Sequence, residues 1–295
     1  MKSNEIKQAF FTEERALFGK RDLFVSDTVF DRGESPLKEC TDIEVANSVF
    51  RWRYPLWYCK NAVASGCKFL EAARAPVWYS DDVAVRNSSV QAPKSFRRCR
   101  NLELNAVCFS DADETLWHCN GVRLTDVTIK GNYFAMNSEN LTVDHLTLDG
   151  KYSFDGVKNV AISNSRLVTK DAFWNSENVT VSNSFVSGEY IGWNSKNLTF
   201  INCTIESLQG LCYVQNLRLV NCKLPNTALA FEYSEVDADI CSGVESILNP
   251  KSGTIRADRI GELIIEPDKI DPSKTKIICS EIAKSSDRID WTGIL

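Results

Sequence analysis

A segment of this sequence is repeated, with substitutions, 19 residues further along the chain. Residues 172–186 read AFWNSENVTVSNSFV, and residues 191–205 read IGWNSKNLTFINCTI. If Asn178 and Asn197 are counted as position zero, the same register extends over most of the chain, and its last five gaps are all 19 residues. Such a period is typical of stacked repeats, in which small insertions fall in loops. The zero positions are Asp22, Asp42, Asn61, Asp82, Asn101, Gly121, Asn140, Asn159, Asn178, Asn197 and Asn216.

Apolar residues recur at fixed places within each repeat. Positions +1, +3 and +8 after each zero position are apolar throughout, and the residues between +1 and +3 are mostly polar. This alternation predicts short strands with one buried and one exposed face, interrupted by a corner. Each repeat is therefore interpreted as one turn of a solenoid of parallel strands, about 4.8 Å from the next turn. Position +8 carries Phe30, Phe50, Phe69, Val90, Phe109, Ile129, Leu148, Leu167, Val186, Ile205 and Leu224.

Other repeat architectures fit less well. No helical stretch separates the strands, which excludes leucine-rich repeats, and a left-handed hexapeptide helix requires a strict coil of about 18 residues. Crossovers between parallel strands are generally right-handed. The predicted fold class is all-β, a single-stranded right-handed parallel β-helix (solenoid) of about eleven coils with N- and C-terminal caps. Position +5 predicts a ladder of stacked amides, formed by Asn87, Asn164, Asn183, Asn202 and Asn221.

The ends of the chain depart from the repeat. Residues 1–21 are predicted to be an N-terminal cap, a short amphipathic segment over the first coil, because an open solenoid exposes strand edges. Residues 22–235 are the regular coils. Residues 236–295 lose the register and contain Pro250, Pro267 and Pro272, so they are predicted to form irregular coils and a C-terminal cap. The whole chain, residues 1–295, is interpreted as a single domain.

The repeat and its flanking segments resemble known proteins. The NSxNVTVSNS coils are similar to the pectate-lyase-like right-handed β-helix superfamily. Over nearly its full length the chain resembles a family of uncharacterised bacterial proteins that is described as a domain of unknown function. The segments QAFFTEERALF and FDRGESPLKEC and the repeated WNS carry this resemblance. It implies the β-helix fold and adds no mechanism.

Composition narrows the expected location and partners. The 34 Lys and Arg residues against 39 Asp and Glu give a net charge of −5 without a basic tail, so neither nucleic acid nor an anionic membrane is an expected partner. Charges are scattered through the first 25 residues, and no apolar run is long enough for a membrane span. This pattern predicts neither a signal peptide nor a membrane helix. A cytoplasmic protein is therefore expected.

The 11 cysteines are interpreted as small core residues. An odd number without a secretion signal favours reduced thiols, and Cys59, Cys99 and Cys119 share position −2 with serines of other coils. No CxxC pair occurs, and the only histidines are His118 and His145. Neither a metal ion nor a cofactor is expected.

A functional surface is predicted on the outward column at position −4. Five of the seven tryptophans occupy this column, and the early coils repeat the pattern Arg-x-Pro-x-Trp at residues 53–57 and 74–78. Indoles can bind the faces of sugar rings, and guanidinium groups can bind the carboxylates of an anionic saccharide. The predicted binding residues are Arg53, Trp57, Arg74, Trp78, Arg97, Asp113, Trp117 and His118.

The later tryptophans receive a different interpretation. Trp174 and Trp193 are predicted to serve packing or self-association, because Asn175 and Asn194 beside them repeat as in a regular stack. Two plainer interpretations of the whole column stay open. The indoles would then pack under flanking loops or form a dimer surface, and the charged residues would be an exposed face of mixed sign.

The sequence identifies no catalytic residues. Asp113 and Asp155 lie two coils apart, which is too far for the carboxyl pair of a glycosidase. Asp111 and Asp113 have donors suited to Ca²⁺ but fit a solvated turn equally well, and His118 is at most a lone general base. The signature motifs of polygalacturonases are absent. If the protein is an enzyme, it is expected to be of the polysaccharide lyase or glycoside-active type.

Three functions stay open at this point. The leading hypothesis is a carbohydrate-binding or carbohydrate-active β-helix that recognises a saccharide, with an anionic one favoured, on the outward Arg/Trp strip. The alternative is a non-catalytic structural scaffold or homo-oligomer that uses the exposed tryptophan face. The third hypothesis is an enzyme that acts on sugar metabolites inside the cell.

Overall fold

Strands dominate the computed structural model of the chain, which describes residues 4–285. The described residues form about 15 turns of a parallel β-solenoid, and the chain has 2% helix. The predicted all-β parallel solenoid is therefore confirmed. The chain divides into two compact units, Met1–Gly150 and Lys151–Leu295, which are called unit 1 and unit 2 below. The interpretation of the chain as one domain stays a prediction.

Unit 1 has short strands in its first turns and longer ones in its later turns. A 3₁₀ turn lies at Glu71–Ala73. In chain order the strands are β1 (Asn4–Lys7), β2 (Phe10–Phe11), β3 (Arg21–Ser26), β4 (Val29–Phe30), β5 (Thr41–Ala46), β6 (Val49–Phe50), β7 (Leu56–Trp57), β8 (Lys60–Ser65), β9 (Lys68–Phe69), β10 (Val77–Trp78), β11 (Asp81–Val90), β12 (Arg100–Phe109), β13 (Asn120–Lys130) and β14 (Glu139–Lys151).

Unit 2 shows the same order, with its longest strands near the C-terminus. A second 3₁₀ turn lies at Pro272–Lys274. The strands are β15 (Lys158–Ser163), β16 (Arg166–Lys170), β17 (Glu177–Ser182), β18 (Phe185–Ser187), β19 (Lys196–Ile201), β20 (Thr204–Glu206), β21 (Gln215–Cys222), β22 (Glu235–Leu248), β23 (Ser252–Ile264) and β24 (Thr275–Ser285).

Strands of successive turns pair in parallel at the register that the repeat predicts. In unit 1 the +1 residues Leu23, Ile43 and Ala62 are direct partners from β3 through β5 to β8. In unit 2 Val179 and Leu198 are direct partners between β17 and β19. One repeat of sequence is thus one turn of the solenoid, because each equivalent position lies directly above its counterpart.

The predicted inward columns form the core. All residues at positions +1, +3 and +8 are buried. In the first turns of unit 1 the phenylalanines of position +8 stack face to face, with 4.9 Å between the ring centroids of Phe30 and Phe50 and 4.8 Å between those of Phe50 and Phe69. Such aromatic pairs contribute about 0.5–1.5 kcal/mol each beyond the burial of their apolar area.

Asparagine ladders connect the turns of unit 2. The predicted ladder at position +5 is present where Asn202 Nδ2 donates to Asn183 Oδ1 at 3.2 Å and Asn221 Nδ2 donates to Asn202 Oδ1 at 2.9 Å. A second ladder, which the sequence reasoning missed, runs along position zero, where Asn197 Nδ2 donates to Asn178 Oδ1 at 2.8 Å. The ladder residues have φ between 49° and 58°, a left-handed conformation that Asn tolerates.

The two ends add turns to the eleven that the repeat predicts. In unit 1, Asn4 of β1 pairs in parallel with Leu23 of β3, and Phe11 of β2 stacks on Phe30. Residues 4–19 therefore continue the solenoid, because their apolar side chains extend the inward columns. In unit 2, β22, β23 and β24 also pair in parallel, with register shifts between β21 and β22 and between β22 and β23. These shifts explain why the 19-residue period ends near residue 236.

The thiols fill the corners of the core as predicted from their columns. All 11 cysteines are unpaired, and nine are buried, with Cys108 and Cys241 exposed. Burial raises the pKa of Cys40 and Cys67 to about 11 and that of Cys212 to about 12. Buried thiols with raised pKa values remain protonated at neutral pH and behave as small apolar residues.

Candidate functional site

The position −4 residues of unit 1 form a continuous stack of flat groups. Trp57 in β7 and Trp78 in β10 are register partners, and parallel bridges join Trp78 to Arg97 and Arg97 to Trp117. The indoles of Trp57 and Trp78 lie 5.1 Å apart at 5° between their planes. The Arg97 guanidinium carbon lies 5.0 Å from the Trp78 ring centroid and 4.3 Å from that of Trp117. In-register backbones thus place each flat group on the face of the next.

The edges of these indoles are also occupied within the protein. Trp57 Nε1 donates to the carbonyl oxygen of Ala75 at 2.7 Å, and Trp78 Nε1 donates to that of Lys94 at 2.7 Å. Trp117 Nε1 likewise donates to the carbonyl oxygen of Tyr133 at 2.6 Å. The indoles of unit 1 therefore fix the loops that flank them, in agreement with the plainer interpretation of this column.

Arg97 is contacted by two indole rings and by a carboxylate in this stack. Its guanidinium donates to Glu114, which also accepts from Lys94 Nζ at 3.2 Å. The Arg97 Nε is buried without a hydrogen-bond partner among the described residues. Partial burial by itself raises the pKa of Glu114, but hydrogen bonds from Lys94 and Arg97 and their charges outweigh it and keep this pKa below its usual value. The predicted carboxylate-binding arginine is thus neutralised within the protein.

The other predicted residues are placed apart from this stack. Arg53 contacts Glu34 Oε1 at 3.4 Å and lies over the ring of Trp52. Arg74 is exposed. Asp113 accepts a hydrogen bond from the backbone of Asn132 at 2.6 Å and so connects two loops.

Position −3 of unit 1 presents exposed side chains from strained corners. Tyr58, Tyr79, Arg98 and His118 have φ between 50° and 57°, where side chains other than Asn, Asp and His are uncommon. Tyr58 and Tyr79 stack with ring centroids 5.0 Å apart. In unit 2 the same corner is taken by Asn175 and Asn194, which form a ladder bond of 2.8 Å.

The aromatic residues of unit 2 are arranged differently. Trp174 and Trp193 lie in turns rather than in paired strands, and their ring centroids are 6.2 Å apart at 35°. Tyr152 meets Trp174 at 89°, and Tyr190 meets Trp193 at 80°. Edge-to-face and tilted contacts cover less of each ring face than parallel stacking does. Trp174 and Trp193 therefore do not stack in parallel, and the prediction that they serve packing or self-association stays a prediction.

These rings surround an open cleft of about 290 Å³. Trp174 Nε1 donates to the carbonyl oxygen of Tyr190 at 2.7 Å. Trp193 Nε1 makes no hydrogen bond within residues 4–285, so this donor is available to a ligand. The residues that line the cleft are Tyr152, Lys170, Asp171, Trp174, Tyr190 and Trp193.

Charged groups meet the aromatic rings in this cleft. Lys170, at the end of β16, contacts Glu189 Oε2 at 2.8 Å and lies 5.6 Å from the Tyr190 ring centroid. The next residue, Asp171, is only 2% exposed, and no hydrogen bond to its carboxylate comes from any described residue. Burial raises the pKa of Asp171, Lys170 and Lys151 lower it, and Glu189 raises it further.

Sequence reasoning missed the polar half of this cleft. Tyr152, Asp171 and Tyr190 share position −7, and each has φ between 53° and 56°. A carboxylate between two tyrosines in one column was the available signal. It was not recognised because a single charged residue in a turn carries little information by itself.

No helix in the described part of the chain is long and apolar enough to cross a membrane. Within residues 4–285, no group of three or more His, Cys, Asp and Glu side chains is arranged to hold a metal ion.

The chain belongs to the family described as "Protein of unknown function (DUF3737)", which matches residues 4–278. This family agrees with the resemblance that the sequence motifs carry. None of the curated proteins with which the chain was compared matches it.

Several solved structures are similar to the chain. HetL, a pentapeptide repeat protein of Nostoc sp. strain PCC 7120, has 9% identity and a TM-score of 0.35, and the match covers 77% of this chain and 94% of that one. PfbA, a surface adhesin of Streptococcus pneumoniae, has 9% identity and a TM-score of 0.35, and the match covers 92% of this chain and 84% of that one. The A-module of the mannuronan C-5 epimerase AlgE4 of Azotobacter vinelandii has 9% identity and a TM-score of 0.25. The match covers 97% of this chain and 87% of that one. At these scores the likenesses carry no argument about function.

Proposed function

We propose that this protein recognises a saccharide and binds it in the cleft of unit 2. The observation that carries the proposal is the set of aromatic rings around an open volume of about 290 Å³, with charged groups at the same place. Ligand sites in proteins combine a mostly apolar floor with a few polar groups that fix orientation. A sugar ring has this same division, with apolar C–H faces and a polar rim.

Ring orientation favours unit 2 over unit 1 as the binding site. Stacking of a sugar on an indole requires an exposed ring face. The faces of Trp57 and Trp78 cover each other at 5°, whereas Trp174 and Trp193 are tilted and line the cleft. Trp193 also has an indole N–H that can donate to a sugar hydroxyl.

Fluorescence titration tests this proposal. Tryptophan emission is followed while cellotriose, N-acetylglucosamine trisaccharide, glucosamine trisaccharide and galacturonic acid trisaccharide are added in separate experiments. We expect at least one of them to saturate, and the saturation to be lost in Trp193→Ala and kept in Trp78→Ala. If none binds wild-type protein up to millimolar concentration, the proposal fails.

The Arg/Trp strip of unit 1 is the second candidate surface for a saccharide, an anionic one above all. Arg74 and Arg98 are exposed, and Arg98 is held at a left-handed corner. Strained backbone is often found at functional sites. If the saccharide binds here, galacturonic acid trisaccharide should bind to the wild type. Arg74→Ala should then weaken this binding, and Trp193→Ala should leave it unchanged. That result would move the site to unit 1.

Self-association through the face of Trp174 and Trp193 is the non-carbohydrate alternative. It is favoured by Tyr213, an exposed ring whose centroid lies 4.6 Å from that of Trp193. Light scattering coupled to size-exclusion chromatography distinguishes the two functions. A dimer that dissociates in both Trp174→Ala and Trp193→Ala supports self-association, and a wild-type monomer rejects it.

A further inference from the structure

We infer that the ligand of the unit 2 cleft is an amino sugar, whose protonated amine binds the Asp171 carboxylate between the aromatic rings. This inference rests on the proposed function, because it names the class of saccharide that the cleft takes. It differs from the expectation of an anionic ligand that the sequence favours.

The first argument is the state of Asp171. Its side chain is among the buried polar groups of the chain, at 2% exposure, and it lines the cleft. The Asp171 oxygens are not among the buried side-chain atoms without a partner in the described residues, so they are accessible from the cleft. Burial of the rest of the residue limits the solvation of the carboxylate. A ligand that brings an N–H⁺ donor into the cleft would compensate for this lost solvation.

The second argument is the charge of the cleft. Lys170 and Glu189 form an ion pair at 2.8 Å and so neutralise each other. Asp171 is the carboxylate of the cleft lining, and its charge is offset only in part by Lys151, which acts on it from nearby. An anionic saccharide would place its carboxylate near this charge, and a protonated amine would compensate it.

The third argument is the arrangement of the rings. Tyr152 and Tyr190 occupy the same column as Asp171 on the adjacent turns, and Trp174 and Trp193 complete the wall. A cation over the face of an indole or phenol is attracted by the ring quadrupole. Lys170 Nζ already lies 5.6 Å from the Tyr190 ring centroid, which shows that this wall accepts an ammonium group.

The size of the cleft limits what enters it. Its volume of about 290 Å³ lies just below the range of about 300–1,000 Å³ for ligand pockets. One pyranose ring with an amino substituent therefore fits better than a longer segment of a chain. The remaining units of an oligosaccharide would extend along the open side.

The test compares two trisaccharides that differ only in acetylation of the amine with a third that carries carboxylates. Binding to the wild-type protein is measured by isothermal titration calorimetry with β-1,4-linked glucosamine and N-acetylglucosamine trisaccharides and with galacturonic acid trisaccharide. We expect the glucosamine trisaccharide to bind at least about tenfold more tightly than the N-acetylated one, because a charged hydrogen bond is lost on acetylation. The galacturonic acid trisaccharide is expected to bind most weakly.

Two variants identify the carboxylate. Asp171→Asn is expected to lower affinity for the glucosamine trisaccharide by about tenfold or more and to leave the N-acetylated one unchanged. Glu177→Gln is the matched control, because it also removes one negative charge from unit 2, but from an ion pair with Lys196 outside the cleft. This control is expected to bind all three ligands as the wild type does.

The pH dependence of the wild type gives a measurement that needs no variant. Affinity for the glucosamine trisaccharide should fall as the pH is lowered through the pKa of Asp171, because the protonated carboxyl no longer attracts the amine. The charged groups around it, Lys170, Lys151 and Glu189, set where this occurs. Affinity for the N-acetylated ligand should change much less over the same range.

The outcomes separate the two proposals. If the N-acetylated or galacturonic acid ligand binds as tightly as glucosamine, the inference about the amine is overturned and the saccharide site stands. If glucosamine binds equally well to Asp171→Asn, the assigned carboxylate is wrong. If none of these trisaccharides or cellotriose binds, the proposed function fails and the inference fails with it.

Discussion

In unit 1 the position −4 indoles of Trp57 and Trp78 lie parallel and the Arg97 guanidinium lies over the rings of Trp78 and Trp117. In unit 2 the tryptophans of the same column are tilted to each other and meet neighbouring tyrosines edge to face around a cleft. The difference begins in the backbone. Trp57 and Trp78 belong to β7 and β10, which pair in register, and Trp174 and Trp193 lie in turns. Paired strands align side chains one above the other, and turns allow them to diverge.

This comparison shows that one column of a repeat can serve two purposes. Where the rings stack, their facing sides are covered and the column stabilises the solenoid. Where they diverge, part of each face stays available to a ligand. A tryptophan at position −4 is therefore not by itself a sign of a binding surface, and the angle between successive rings is the informative quantity.

The largest expected effect is the loss of stability in Trp78→Ala. This change removes the ring between Trp57 and Arg97 and a hydrogen bond to the Lys94 carbonyl oxygen. It should reduce the free energy of unfolding by about 3 kcal/mol, at the lower end for large-to-small changes of an aromatic residue.

Trp193→Ala is the matched variant in unit 2 and should cost only about 1 kcal/mol. Urea unfolding followed by circular dichroism at neutral pH gives both values. Equal losses would contradict the division of the column into a stabilising half and a binding half.

The dependence of stability on pH below neutrality tests how much Glu114 contributes to the stack. Because its pKa in the folded protein lies below the usual value of 4.5, ionised Glu114 stabilises the fold above its unfolded pKa. This contribution is lost as the pH falls through the folded pKa. Glu114→Gln should therefore be less stable than the wild type at pH 7 and equally stable in strong acid. Thermal unfolding at pH values from 2 to 7 measures the difference, and parallel curves would contradict it.

Asp171 should show the opposite dependence on pH. Its pKa in the folded protein is raised above the usual 3.8, so the folded state binds more protons than the unfolded state between these two values. Stability from this group is present below pH 3.8 and falls as the pH rises through the folded pKa. Asp171→Asn should therefore raise the melting temperature at pH 7 and leave it nearly unchanged in acid. A lower melting temperature at pH 7 would show that the carboxylate stabilises the fold.

The smallest expected effect concerns the corners at position −3. Arg98 has φ of 50°, and replacement by Asn, the residue of unit 2, should stabilise the protein by about 0.5 kcal/mol. The reciprocal change Asn194→Arg removes the ladder bond to Asn175 and should cost about 1 kcal/mol. Urea midpoints measure both. If Arg98→Asn is destabilising, Arg98 makes contacts that the corner geometry does not reveal.

The fold was largely predictable because burial at +1, +3 and +8 repeats with every turn. Side chains such as Phe50 and Val179 have the same surroundings in each coil, so many positions report on one structure. The ladder at position zero was missed because an asparagine that marks each repeat does not by itself indicate a hydrogen bond to its counterpart on the next turn. The extra turn at residues 4–19 was missed because its spacing from the first repeat is hidden by polar residues.

The candidate site could be predicted only in part. Its tryptophans were visible from composition and spacing, but the tilt of Trp193 against Trp174 depends on turn geometry that the sequence pattern does not encode. The burial of Asp171 arises from the rings on the adjacent turns. The environment of Asp171 depends on three-dimensional packing, which cannot be predicted from a single residue in a turn.

Oxidative footprinting of the tryptophans tests the central difference between the two units most directly. Brief exposure to hydroxyl radicals, followed by mass spectrometry of peptides, measures oxidation of each indole with and without glucosamine trisaccharide. We predict that Trp174 and Trp193 are oxidised more than Trp57 and Trp78, and that the ligand protects Trp193 while it leaves Trp78 unchanged. Ligand protection of Trp57 and Trp78 without protection of Trp193 would contradict the account.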